Sequence, residues 1–419
     1  MPFFLGIDLG TTSVKIALID GDKKTFLEWD RKHNALIERE EKDRHEQSPK
    51  KILDTVQKLL GEMETDKLAQ VKGIGISGQM HGVMLWEADS IGLGVDRCHC
   101  SPLITWMDSR CDEQFLRTLP KWLDGNDPQK EKRIATGYGM ATLAWLKEKG
   151  QLDGEKWDRA GTIMDFLASL LTQSKSVPVT VPLGDLQASL LPFLSSGVAA
   201  LHIGTASQIA FVSQRSAEEM SPKVVLPNSI RRDPFFDDDF LLVAPSLNGG
   251  NVFAGLFQQI ASWSADLFGF PSDFSPLSFS AAFSLLDRIF NSPNSQPKDG
   301  EVPPVKVMPT FFGERHISAQ EGGAVVQNWR MDTPIEQFLV SIARGIVANL
   351  AQMMPPAVLA AHSVHTLKLI GRANQTVFTE EAKRQFPSLE IVLEEQNFSA
   401  AYGAAVHARD IFMKKEGIS

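Results

Sequence analysis

The sequence predicts an α/β protein of two related domains, and three observations carry that prediction. Phe3 to Ile7 and Val14 to Ile19 are rich in β-favouring residues, and the small polar run Asp8-Leu9-Gly10-Thr11-Thr12-Ser13 joins them. The pattern returns downstream, where Leu201 to Val212 reads as an apolar strand, Gly204-Thr205-Ala206-Ser207, then an apolar strand again. Elsewhere, polar loops bracketed by glycine follow short buried-type strands, as ligand loops do in α/β sheets. Two Gly-Thr hairpins in two halves of one chain suggest a duplicated fold closing over one phosphate chain.

The opening hairpin carries chemistry. Gly10 lets the backbone approach a bulky anion, and Thr11, Thr12 and Ser13 set hydroxyls beside exposed amides, with Lys15 just beyond. Asp8, at the strand end, is placed to hold Mg²⁺ through water, since Mg²⁺ keeps much of its hydration shell. Neither GxxxxGK[ST] nor GxGxxG is present.

Composition narrows the classes. A chain of 419 residues suggests two or three domains, and 43% hydrophobic with 22% charged residues is ordinary for a soluble globular protein. The net charge of -9 argues against a nucleic-acid partner. No apolar run reaches the length of a bilayer span, and the chain enters a strand with no basic leader, so a cytosolic address and no membrane partner are expected. Three cysteines fit a reducing compartment, and the spacing of Cys98, Cys100 and Cys111 is unlike a zinc site.

In chain order, Lys24 to Asp30 predicts a third antiparallel strand. Ser48-Pro49 starts a helix that carries Ile52, Val56, Leu59, Leu60 and Met63 on one face. Val71 to Ser77 is a strand delivering Gly78-Gln79-Met80-His81-Gly82, whose Gln79 and His81 suit sugar hydroxyls. Leu103 to Trp106 is another, and Met107-Asp108-Ser109-Arg110 turns into a helix through Leu119. Asp108 reads either as a helix cap or, with Trp106 and Arg110, as part of a polyol site. Helices follow over Ala141–Lys149 and 162–171, then a β-type run from Val177 ends at Gly184-Asp185. Asp185 is equally an N-cap or a carboxylate placed to take a proton from a hydroxyl. Ser246-Leu247-Asn248-Gly249-Gly250-Asn251 opens a helix whose free amides would suit a nucleotide. Residues 270–304, rich in Ser, Pro and Phe, read as peripheral loops around short helices. Gly313-Glu314-Arg315-His316 is a charged loop, Ile335 to Met353 a long amphipathic helix, and Thr366 to Ile370 a strand running into Gly371-Arg372-Ala373-Asn374. A last strand over Leu389–Leu393 and an alanine-rich helix over Ala400–Ile411 close the chain.

Together these stretches resemble the FGGY carbohydrate kinases of the actin, hexokinase and Hsp70 fold group. The matching residues are Gly6 to Ser13, Ile76 to Gly82, Leu103 to Cys111, Ala135-Thr136-Gly137-Tyr138-Gly139, Ala160 to Ile163, Leu183 to Ser189, Ser246 to Val252 and Gly313 to His316. They fall in order along nearly the whole chain. The resemblance implies a two-domain, ribonuclease H-like fold with mixed sheets and a cleft between domains over 1–181 and 182–419. It also implies ATP- and Mg²⁺-dependent phosphorylation of a terminal hydroxyl of a ketose. The likeness is strongest to members acting on sedoheptulose, and pentulose kinases are the second reading. The position of Asp185 is the base, with Asp8 it faces the metal, and Gly10, Thr11, Thr12, Ser13, Lys15, Gly204 and Thr205 face the phosphates. Gln79, Met80, His81, Trp106, Asp108 and Arg110 match the sugar side, and Gly249, Gly250, Asn251, Gly371 and Asn374 the nucleotide side. The partners implied are the sugar and ATP, in a monomer or homodimer.

Two departures stand out. Thr172 to Val181 is shorter than the family's segment, which implies a first domain missing a strand, and motivates a rival reading as a catalytically impaired sugar-binding form. Arg372 stands where the family has small residues under the adenine. An Hsp70-like chaperone ATPase leaves the sugar loops unexplained.

Overall fold

A computed structural model describes residues 2–23, 26–93, 97–120, 122–124, 127–132, 134–154, 156–173, 177–214, 225–236, 239–269, 286, 288–292, 295, 304–314, 316–317, 323–394 and 399–417. Most of the 270–304 stretch, Arg315 and Gly322 lie outside them. Contacts divide the chain into two units, Met1–Pro192 with Phe398–Ser419, and Phe193–Asn397.

Among the strands of unit 1 are β1 (Phe3–Leu9), β2 (Ser13–Asp20), β3 (Phe26–Lys32), β4 (Glu46–Gln47), β5 (Val71–Gly78), β6 (Leu103–Ile104) and β7 (Leu183–Gly184). Its main sheet runs in the order β7-β5-β1-β2-β3. β1, β2 and β3 form an antiparallel meander, and β5 and β7 run parallel to β1. One face is covered by α1 (Pro49–Gly61) and α2 (Ile163–Thr172). Ser48 caps α1 by accepting from the Lys51 amide, and Thr162 with Asp165 makes a capping box for α2. Ile52, Leu53, Val56 and Leu59 of α1 meet Ile7, Ile16 and Ile76 of the sheet in one buried cluster.

The other face is covered by the closing helix Ala400–Glu416. The approach is so close that a Cβ on Gly6 would lie 1.8 Å from the Ala401 carbonyl oxygen, and one on Gly75 1.9 Å from that of Ala404. This helix also crosses α3 (Asp185–Leu190), where Gly403 meets the Ala188 backbone. The division therefore departs from the expected 1–181 and 182–419, because α3 and the closing helix pack on the first sheet.

The expected loss of a strand is also corrected. The shortened segment itself supplies the edge position of the sheet, with a parallel bridge from Val179 to Ile74 and the ladder of Leu183 and Gly184 on Ser77 and Gly78. Pro178 gives its carbonyl to the Ile74 amide, and Thr180 donates to the Ile74 carbonyl. An edge strand tolerates prolines, since only one of its sides needs donors.

Unit 2 repeats the plan with β8 (Val198–Ile203), β9 (Ser207–Ser213), β10 (Arg231–Pro234), β11 (Phe240–Ser246), β12 (Thr366–Gly371) and β13 (Glu390–Leu393). The order is β10-β11-β9-β8-β12-β13, again a central antiparallel hairpin with parallel strands on one side. Its longer described helices are α4 (Gly250–Phe268), α5 (Ile335–Met353) and α6 (Thr376–Gln385). Ile342, Ile346 and Leu350 of α5 pack with Leu201, Phe211, Leu242 and Phe378.

Candidate active site

In unit 1 the chemistry gathers at one end of the sheet. Asp8 is buried at the end of β1, accepts a hydrogen bond from Ser77 Oγ (3.2 Å) and pairs across the ladder with Lys15. Desolvation, then the charge of Asp185, pushes its carboxyl up to about 7, while Ser77 and Lys15 pull the other way. Lys15 lies 3.9 Å from Asp30, at the outer side of the strand.

The turn after Asp8 is shaped by its carbonyls. Gly10 N–H donates to Ser13 O (3.0 Å). His33 Nε2 donates to Gly10 O (3.2 Å), Gln47 Nε2 to Thr11 O (2.7 Å) and the His33 amide to Thr12 O (3.3 Å). The Thr11 and Thr12 amides have no hydrogen-bond partner among the described residues, and Thr12 is exposed. Trp106 Nε1 donates to Thr11 Oγ1 (3.0 Å), so the indole N–H is committed to the turn while its ring stays 40% exposed.

Gln79 is buried, and its Nε2 donates to Gln47 Oε1 (3.1 Å) while its Oε1 lacks a partner among the described residues. His81 adopts φ +67° and stacks at a tilt on Tyr138, with ring centroids 4.6 Å apart. Met80 seats on Gly184, where a Cβ would sit 2.2 Å from Met80 Sδ. The sugar-side loop is thus fitted against the residue before Asp185. Gly184 occupies the helix cap, and Asp185 is the first helical residue, exposed, accepting from the Leu186 amide (2.7 Å). Desolvation holds its carboxyl above the usual range.

Asp108 and Arg110 take another role than expected. Asp108 Oδ1 accepts from Arg110 N and Nε, and Oδ2 from Arg110 Nη2 and the His45 amide, leaving it 1% exposed. Arg110 also reaches Glu46 (2.7 Å), which Arg39 pairs from the other side. The two residues form a buried ion-pair network behind the loop, in which both Asp108 oxygens and the Nε and Nη2 of Arg110 are engaged. Nor does Asp108 start a helix. The short helix there spans Glu113–Leu116 and is capped by Asp112.

In unit 2, the Gly204–Ala206 turn faces the start of α4. Gly204 O accepts from Gly250 N (2.8 Å) and Thr205 O from Asn251 N (3.0 Å). Asn251 caps its own helix start, accepting from Gly249 N and donating to Leu247 O. The amides of Gly249, Gly250 and Asn251, expected to be free for a nucleotide, are therefore spent on the turn and the cap. Glu314 holds this loop from behind, taking Ser246 Oγ (2.5 Å), Leu247 N, Asn248 Nδ2 and Asn349 Nδ2 (2.7 Å) on its buried carboxylate.

Gly371 pairs with Ile203 at the end of the sheet and adopts φ +67°, so the turn there favours glycine. His202 lies beneath Gly204 and Gly371, and burial depresses its pKa to about 4, leaving a neutral ring. Asn374 is turned to the loop, donating to Glu394 O (2.7 Å). A cavity of about 410 Å³ opens beside Gln375 and Val377, walled by Phe290, Val340 and Arg344.

No three His, Cys, Asp or Glu side chains among the described residues converge into a metal cluster, and no described helix is long and apolar enough to cross a membrane. Burial pushes the Cys100 and Cys111 thiols up to about 11, so both are protonated at neutral pH. Asp8 and Asp185, by contrast, suit a hydrated divalent cation. Their mutual repulsion is what such an ion would relieve, and Mg²⁺ is content with one or two carboxylates plus water.

Gln47, His33 and Glu46 escaped sequence reading, because the contacts that give them a role, Gln47 with Thr11, His33 with Gly10 and Glu46 with Arg110, join residues distant in sequence. Glu314 reads in sequence only as part of the charged loop that begins at Gly313, and its buried hold on Ser246 and Asn248 does not show there.

Residues 3–182 match the N-terminal domain of the FGGY family of carbohydrate kinases. The chain is similar to sedoheptulokinase of Mus musculus, at 29% identity over 97% of each chain. It is also similar to xylulose kinase of Bacillus subtilis, at 30% identity, over 35% of this chain and 28% of that one. Among solved structures, Plasmodium falciparum glycerol kinase with ADP superposes with a TM-score of 0.70 at 17% identity, covering 99% of this chain and 90% of that one. A likeness at that identity establishes the fold.

Proposed function

We propose that this chain, a member of the FGGY family of carbohydrate kinases, is a cytosolic enzyme that phosphorylates sedoheptulose to sedoheptulose 7-phosphate using ATP and Mg²⁺. The observation that carries the reading is the seating of Met80 on Gly184, which sets the polyol loop directly beside an exposed carboxylate of raised pKa. Near-full-length similarity to sedoheptulokinase supports the seven-carbon ketose over a pentulose.

Asp185 takes the proton of the terminal hydroxyl, and its raised pKa makes it a stronger base than an ordinary carboxylate. Gln79 Oε1, buried and unpartnered among the described residues, accepts from a sugar hydroxyl. His81 and the open face of Trp106 orient the ketose. The amides of Thr11 and Thr12, with the Ser13 hydroxyl, hold the phosphates. In unit 2 Thr205 is exposed and offers its hydroxyl to phosphate, Gly204 and Gly371 shape the turn, and the cavity beside Val377 takes the nucleoside. Asp8 and Asp185 would hold Mg²⁺ through water, and bound there the ion would supply charge neutralisation on the transferring group. Asp108 and Arg110 brace the wall, and Asn251 and Asn374 brace the nucleotide loops.

Replacing Asp185 with alanine is expected to lower kcat by about 10²–10⁴, as loss of a general base does. A coupled ADP-release assay reads it, and undiminished turnover overturns the assigned base. A kcat/KM panel of ketoses is expected to favour sedoheptulose over xylulose. The rival of a catalytically impaired sugar binder predicts heat stabilisation by ketose with no ADP formed.

A further inference from the structure

The turn that holds the phosphates closes on itself by one backbone bond, Gly10 N–H to Ser13 O, while its Thr11 and Thr12 amides bond to nothing described. Its three successive carbonyls are nevertheless all engaged, two by buried side chains. His33 is 7% exposed and Gln47 2%, and neither belongs to the chemistry above. The Ala35 amide donates to His33 Nδ1 (3.1 Å), which leaves Nε2 as the protonated nitrogen and hence the donor to Gly10 O.

In a trans peptide, the carbonyl of one residue and the N–H of the next point in opposite directions. Fixing Gly10 O toward His33 therefore aims the Thr11 amide away from His33. Fixing Thr11 O toward Gln47 aims the Thr12 amide away from Gln47. Two amides presented together in this way form an anion-binding concavity. We propose that His33 and Gln47 are positioning residues that brace the turn from behind, setting the Thr11 and Thr12 amides for a polyphosphate. Gln47 has a second duty, because its Oε1 accepts from Gln79 Nε2. One side chain thereby joins the sugar loop to the phosphate turn, while His33 serves the phosphate turn alone.

This inference rests on the kinase reading for the identity of its ligand, and the test separates the two. Binding of ATP and of adenosine to the full chain is measured by calorimetry for wild type, His33→Leu, Gln47→Met and His33→Gln. Each lost brace is expected to weaken ATP about tenfold, the size of one hydrogen bond, while adenosine affinity stays within about twofold. His33→Gln, whose amide nitrogen reaches the place of Nε2, restores most of the loss. Gln47→Met alone also raises the KM for ketose. Equal weakening of ATP and adenosine, or no weakening of either, overturns the brace. A wild-type chain that binds no ATP overturns the kinase reading instead.

Discussion

In unit 1 the carbonyls of Gly10 and Thr11, in the turn between β1 and β2, are held by the side chains of His33 and Gln47, and that of Thr12 by the His33 amide. In unit 2 the turn between β8 and β9 is held by backbone amides of Gly250 and Asn251 at the start of α4. Both turns lie at the end of the central hairpin of a sheet with the same strand plan. The first can be loosened by one side-chain substitution without touching the fold. The second is part of the fold, so injury to it is injury to unit 2. The two sheets share the hairpin and differ in how its turn is supported.

The largest expected effect comes from Gly249→Ala, which sets a Cβ 2.5 Å from the Ala206 backbone. Stability is expected to fall by about 1–3 kcal/mol by urea unfolding, with ATP affinity lost alongside. Loss of ATP affinity with unchanged stability would make the second turn as separable as the first.

Next is Asp8. Its folded pKa of about 7 lies above the 3.8 of a free aspartate, so between these the folded state holds the extra proton. Stability of the metal-free chain is expected to fall as pH rises through that window. Asp8→Asn should flatten the slope, and Mg²⁺ should reverse it, as read by thermal unfolding across pH.

A smaller effect is expected for Asn251→Ala, about 1 kcal/mol, because the cap is lost while both turn carbonyls keep their backbone donors. ATP binding should change less than in Gln47→Met. The reverse order would show the second turn to be side-chain-held after all.

The smallest belongs to Lys15→Met. A half-exposed pair at 3.9 Å is worth well under about 1 kcal/mol, and only a slight rise in the Asp8 titration midpoint is expected.

Both hairpins, their small polar turns and the strand-to-helix step at Asp185 were legible because each is written in contiguous residues. The bracing was not, because it is written across distance. Gln47 stands 36 residues from Thr11, and Arg110 stands 64 from the Glu46 that draws it into the wall. Local sequence at Trp106 to Arg110 shows a stacking plane, an acceptor and a donor, and nothing there announces that two of the three are already paired. The free amides read into Gly249 to Asn251 failed for the same reason, since the carbonyls that consume them belong to Gly204 and Thr205. The β-type run from Val177 to Gly184 was legible, while the shortness of Thr172 to Val181 suggested a missing strand; an edge position needs only the few donors that segment retains.

The closing helix Ala400–Glu416 has a consequence for biosynthesis. It seals the face of a sheet whose central strand is Phe3–Leu9, with Gly6 and Gly75 cut to its backbone. A nascent chain shorter than about 400 residues carries that face uncovered, however long ago its strands emerged from the ribosome. Unit 2, by contrast, closes over residues already made. The half translated first is thus the last to mature, and a chaperone guarding the nascent chain should linger on its amino-terminal sheet.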